Sequence, residues 1–170
     1  TAHPGTLETS FNLALCLKAQ GKYTEAEKEI RTCLGSQEEV LGQQHPQTLR
    51  SLDCLGSCLY NRGSYKQAEM VLKECMEKRR VKLGVSHSET LMSSNLYASC
   101  VRRQGRYKEA EPMYHDILKQ RRATLGDQHP HTLDSLNGLG VCVTALGRHS
   151  ERSFFFFFFC FHFSILLKLS

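Results

Sequence analysis

At 170 residues, with 41% apolar and 23% charged side chains, the chain has the length and balance of one soluble globular domain with a substantial core. Its formal charge of +5 is mild and acidic residues are interleaved with basic ones, which argues against nucleic acid as a partner. Catalytic signatures such as G-x-x-x-x-G-K-[ST], H-E-x-x-H and G-x-S-x-G are absent, so no enzyme, small-molecule substrate or cofactor is expected.

The chain repeats itself from its first residues. His3, His45, His87 and His129 recur every 42 residues, followed by Leu7, Leu49, Leu91 and Leu133, and then by Gly21, Gly63, Gly105 and Gly147. Tyr23, Tyr65 and Tyr107 precede Ala-Glu pairs at 26, 68 and 110, and Leu-Gly pairs at 41, 83 and 125 close the units. Self-similarity at this scale means a stacked array of supersecondary units. The expected units are 1–42, 43–84, 85–126 and a truncated 127–152, with a separate apolar tail over 153–170. The first unit starts in phase without a Met, so further units are expected upstream.

The second unit shows the local reading most clearly. Leu49, Leu52, Leu55 and Leu59 recur at three- and four-residue steps, the stripe of a helix A. Pro46 suits its first position and Gly63 its left-handed end. Ser64 and Gln67 read as an S-x-x-Q capping box opening helix B, whose stripe is Tyr65, Ala68, Leu72, Cys75 and Leu83 before Gly84. Gly56, in one column with Ala14, Ala98 and Gly140, leaves room for close helix approach. Each antiparallel hairpin must stack on its neighbours to bury its apolar face.

The polar columns receive the plain structural reading first. Cys16, Cys58, Cys100 and Cys142 share one column and Cys33 and Cys75 another, marking small semi-buried slots. Successive slots lie on the order of 10 Å apart at helix-packing distances, beyond disulfide reach. Reduced, structural cysteine fits a cytoplasmic location. The histidine column is expected to cap or pack the joints between units, because no Cys or carboxylate stands beside it at metal spacing. The basic runs Lys78-Arg79-Arg80 and Lys119-Gln120-Arg121-Arg122, and carboxylates such as Glu25, Glu27, Glu109 and Glu111, read as solvated helix B faces.

The columns Leu13-Ala14, Leu55-Gly56, Tyr97-Ala98 and Leu139-Gly140, followed by Ala26/Ile30, Ala68/Leu72 and Ala110/Tyr114, resemble the tetratricopeptide repeat (TPR). The early Trp of that pattern is replaced by Ser10, Leu52, Ser94 and Leu136. The period exceeds the usual one of about 34 residues by roughly two helical turns. Long units carrying LGxxHPxTL are similar to those of the kinesin light chain group, including nephrocystin-3-like proteins. The resemblance covers about residues 1–152. The heptad coiled coil that joins kinesin light chains to the motor has no counterpart here, so motor binding is not carried over.

The resemblance implies an all-α, right-handed superhelix of three hairpins plus helix A of a fourth, with its concave wall lined by A helices. That wall would comprise Glu8, Phe11, Leu15 and Lys18; Arg50, Asp53, Ser57, Tyr60 and Asn61; Met92, Asn95, Ser99, Arg102 and Arg103; and Asp134, Asn137 and Val141. Asn95 and Asn137 have the donors and acceptors to hold an extended backbone, which resembles the asparagines of family grooves. Lys18, Arg50, Arg102 and Arg103 would attract acidic residues, and Tyr60 and Phe11 would anchor apolar ones. The expected function is a scaffold binding a peptide or protein segment. A carboxylate clamp for chaperone C-termini is not expected, because its Lys and Asn positions hold Phe11 and Leu15, or Asp53 and Ser57.

The pattern fails after Glu151. Arg152 replaces the column's Ala, and Phe154 to Phe159 open an apolar run to Leu167. This tail reads as a membrane anchor, as an apolar cap on the last helix, or, the favoured reading, as translated noncoding sequence rich in T. An anchor needs about 18 to 20 apolar residues, more than the run supplies. If it is genuine, a membrane-associated repeat protein is the alternative function. Residues 1–152 alone are expected to stay in the supernatant on sedimentation while the full chain aggregates or partitions to membrane, through exposed Phe surface. Equal solubility of the two would rule this out.

Overall fold

The computed structural model describes residues 4–148, with side chains from residue 8 onward. It contains α1 (Pro4–Ala19), α2 (Tyr23–Leu41), α3 (Pro46–Asn61), α4 (Tyr65–Leu83), α5 (Ser88–Arg103), α6 (Tyr107–Leu125) and α7 (Pro130–Ala145), and no strand among the described residues. Each helix packs chiefly on its two neighbours in sequence, giving an all-α solenoid of hairpins. The A row is α1, α3, α5 and α7; the B row is α2, α4 and α6. The tail over 153–170 and the array's expected end at 152 lie outside the described residues. No described helix is long and apolar enough to cross a membrane.

The histidines cap the A helices. Nδ1 of His45, His87 and His129 accepts the backbone N–H two residues ahead at 3.3, 3.3 and 3.1 Å, satisfying a donor that the helix leaves free. Such caps are worth on the order of 1 kcal/mol. The Thr48 hydroxyl donates to the Gly42 carbonyl at 2.9 Å and ties the joint to the helix before it. Gly84 adopts φ 90° and ψ 165°, a region essentially closed to side chains, where α4 ends.

Between the paired helices the core is tight. Leu49, Leu52, Leu55 and Leu59 are all buried against α2 and α4, as their spacing requires. A Cβ added to Gly56 would lie 2.4 Å from Leu72 Cγ, so what the missing side chain makes room for is the Leu72 side chain of α4. A second such site was not foreseen: a Cβ on Gly138 would lie 2.4 Å from Cε1 and Cζ of the Tyr114 ring. Tyr114 stands where α2 and α4 carry Ile30 and Leu72, and Gly138 where α3 and α5 carry Cys54 and Leu96. The larger residue in α6 is matched by the absent side chain in α7.

Several polar expectations change. Arg79 and Arg121, read as solvated, are 4% and 2% exposed. Arg79 donates to Asp53 Oδ1 at 3.1 Å, Ser93 Oγ at 2.6 Å and the Glu89 carbonyl at 3.0 Å, joining α4 to the A helices on both sides. Arg121 donates to Ser135 Oγ at 2.7 Å, to the Leu91 carbonyl at 3.2 Å and to the His131 carbonyl. The column Gln37, Arg79, Arg121 therefore faces the next joint.

Glu27 and Glu111, expected on an exposed face, are half-buried: Glu27 pairs with Arg62 and Glu111 with Arg148 of the following unit. In the same column Glu69 pairs with Arg106 at 2.8 Å. The capping box of Ser64 and Gln67 does not form. Ser64 makes no cap bond to α4, and both side chains instead accept from Arg62, at 3.1 and 3.2 Å. Cys16 is exposed whereas Cys58, Cys100 and Cys142 are buried; it lies on α1, which no described helix precedes.

Gly138→Ala should cost about 1–3 kcal/mol by overpacking. Adding Tyr114→Leu should remove most of that penalty, because an aliphatic side chain occupies the slot in the earlier units. Urea denaturation of the double-mutant cycle checks this, and purely additive losses would mean that the ring is not what excludes the methyl.

Candidate functional site

Direct contacts of α3 with α5 and of α5 with α7 have no counterpart of equal strength in the B row. The A helices of the second to fourth units thus touch one another directly, and the side chains expected to line the inner wall lie along this row. Along α5 the face of Met92, Asn95, Ser99 and Arg102 follows three- and four-residue steps, with Arg103 directly in line with Met92.

The first inner column is spent on the array itself. Phe11 is only 6% exposed and is covered by the Arg50 guanidinium, 5.0 Å from its ring centroid. Asp53 accepts from Ser93 at 2.6 Å and from Arg79. Asn95 is 9% exposed: its Nδ2 donates to Asp134 Oδ2 at 2.7 Å and its Oδ1 accepts from Ser135 at 2.9 Å. Neither Phe11 nor Asn95 is thus the ready ligand contact that its position promised; both bridge one A helix to the next. Asn137, in the same column of α7, remains exposed.

A second group lies toward the C-terminal ends of the A helices. Lys18, Tyr60 and Arg102 are half-buried in one column, with Asn61 and Arg103 exposed beside them. Tyr60 meets Tyr65 edge-on at 5.5 Å, and Arg103 lies over Tyr65 at 5.3 Å. Arg102 Nε donates to the Tyr114 hydroxyl at 3.3 Å, and Ser99 shares a 2.8 Å hydrogen bond with the same oxygen. Tyr114, buried in α6, thus supports two of the expected inner-face residues of α5 through its hydroxyl. Nothing in its helix B position announced that, although the neighbouring Gly138 was a signal.

Electrostatics separate this group from the joints. Lys18, Arg102 and Arg103 have no carboxylate partner among the described residues, whereas Arg62, Arg79 and Arg106 are paired. Burial raises the Tyr114 phenol above its ordinary range, against the hydrogen bonds from Ser99 and Arg102 that lower it. Burial also pushes Cys75 up to about 11 and Cys100 up to about 12, leaving them as protonated packing groups. Among the described residues no His, Cys, Asp and Glu side chains gather in threes as a metal site needs.

A family model for the tetratricopeptide repeat matches residues 5–80 and 88–151. No curated protein matches the sequence. Among solved structures, the crystal structure of the nearly identical TPR-like repeats of a Podosopora anserina protein described as a kinesin light chain is 24% identical. It superposes with a TM-score of 0.77 over 86% of this chain and 70% of that one. A point-substituted form of those repeats is 22% identical, with a TM-score of 0.79 over 99% and 79%. BtubC (BKLC) from P. vanneervenii is 18% identical, with a TM-score of 0.70 over 83% and 56%. With the repeat matched over most of its length and the hairpin solenoid shared with these structures, the chain belongs to the tetratricopeptide repeat family.

Proposed function

We propose that the protein is a cytoplasmic interaction scaffold that holds a partly acidic peptide or protein segment against the inner wall formed by its A helices. The observation that carries this reading is the pair Arg102 and Arg103. They are two guanidiniums without carboxylate partners, steadied by the Tyr114 hydroxyl and the Tyr65 ring. A fixed guanidinium with free N–H groups receives a carboxylate at little cost in side-chain ordering. Lys18 extends the cationic surface along the same column, and Tyr60, Asn61 and Asn137 add apolar and amide contacts. Non-catalytic binding through a groove fits a family whose stacked repeats present extended concave surfaces.

Arg102→Glu with Arg103→Glu should weaken binding of acidic peptides on an array by at least about tenfold, with circular dichroism unchanged, because each like-charge contact replaces an attraction. Raised salt should weaken the wild-type complex in the same direction. Unchanged binding by the double variant would remove the inner wall as the site.

A further inference from the structure

At the joint between the third and fourth units, a cavity of about 60 Å³ opens among Leu91, Met92, Thr124, Leu125 and His131. Met92 and Leu125 are 45% and 37% exposed at its mouth. Arg121 also lines it, but its guanidinium is directed to Ser135 and the carbonyls of Leu91 and His131. Ser86 and Ser88 line it as well, but the lining surface is mostly carbon, which suits an apolar side chain and not an anion.

The preceding joint shows what closes this place. There the position of Thr124 is held by Lys82, whose Nζ donates to the Gln44 carbonyl at 2.6 Å, while Arg50, in the position of Met92, lies over the Phe11 ring of the first unit. With Thr124 in place of that lysine no long side chain ties the third joint across, and Met92 gives the opening an apolar wall. Met92 lies on the inner face of α5, on the line that leads to Arg103. The eleven-residue separation along that helix corresponds to ~16 Å, the span of about five residues of extended chain.

The geometry points to a two-point ligand for the inner wall: an aliphatic side chain seated in the Met92–Leu125 cavity, followed at about five residues by an acidic residue on Arg102 and Arg103. This rests on the groove reading above and adds the partner's second anchor and the spacing between the two. Charge complementarity fixes one end, and the carbon-lined cavity, with Met92 as an adaptable wall, fixes the other.

The test uses short Gly/Ser/Ala peptides that carry an Asp-Glu pair and a single Leu walked residue by residue away from it, read by fluorescence anisotropy. Affinity should peak when the separation is about five residues, with a gain of about tenfold over the peptide lacking Leu, the scale of burying one aliphatic side chain. Thr124→Lys installs a side chain that the second unit already accommodates; it should abolish the Leu-dependent gain and leave binding of the Leu-free peptide unchanged. Thr124→Ser should keep the gain. A Leu effect independent of position, or equal in Thr124→Lys, overturns the cavity assignment while the groove reading stands. Binding insensitive to Arg102→Glu with Arg103→Glu, or absent for every peptide, overturns both.

Discussion

The phase between successive hairpins depends on buried hydrogen bonds that cross three helices. Apolar stacking alone is permissive, because leucines tolerate sliding and rotation against one another. The Arg79 guanidinium is not permissive: it needs the Asp53 carboxylate on α3 and the Ser93 hydroxyl and Glu89 carbonyl on α5 together. A slip of one residue in α5 would strand a buried charge, at a cost of several kcal/mol. Register is thus set by a polar group inside an otherwise apolar joint.

That constraint decides which inner-wall residues remain for a partner. Asp53 and Asn95 occupy equivalent positions on the concave side, yet both are turned into the joints by the serines at 93 and 135. What the joints do not use is displaced along the A helices, to Arg102 and Arg103 at one end and Met92 at the other. Arg102 and Arg103 carry lighter structural duties, a hydrogen bond to Tyr114 and a stack on Tyr65, and neither is paired with a carboxylate among the described residues.

Periodicity made the helices, the hairpins, the joint glycines and the histidine caps legible, since each depends on local geometry repeated at a fixed interval. It did not reveal burial in Arg79 and Arg121, because a cation late in an amphipathic helix looks solvated until the next unit is stacked on it. The signal available was the coincidence of three columns: Gln37, Arg79, Arg121; Ser51, Ser93, Ser135; and Phe11, Asp53, Asn95. Polar residues that keep step with the repeat belong to its interior more readily than to its surface. The same reasoning explains Asn95: an inner-face position shows where a side chain starts and not what it reaches. The Ser64 and Gln67 cap failed for a related reason, since Arg62, two residues before Ser64, takes both acceptors.

The joints differ in how they meet the same demand. In the first, Arg79 is replaced by Gln37, whose buried Oε1 has no partner among the described residues, and Asp53 by Phe11 under Arg50. The second holds an ion pair between the buried Arg79 and the half-buried Asp53. In the third Asn95 takes the aspartate's place, and the carboxylate facing Arg121 is the largely exposed Asp134 at 4.0 Å, so burial lowers the Arg121 pKa more than that carboxylate restores it. This third joint, where the carboxylate facing the buried cation is largely exposed, also borders the apolar cavity at Met92 and Leu125. The second and third joints thus differ at separate positions, Asn95 for Asp53 in the polar contacts and Thr124 for Lys82 beside the cavity, so the hydrogen bonding of a joint and the space it leaves open vary independently.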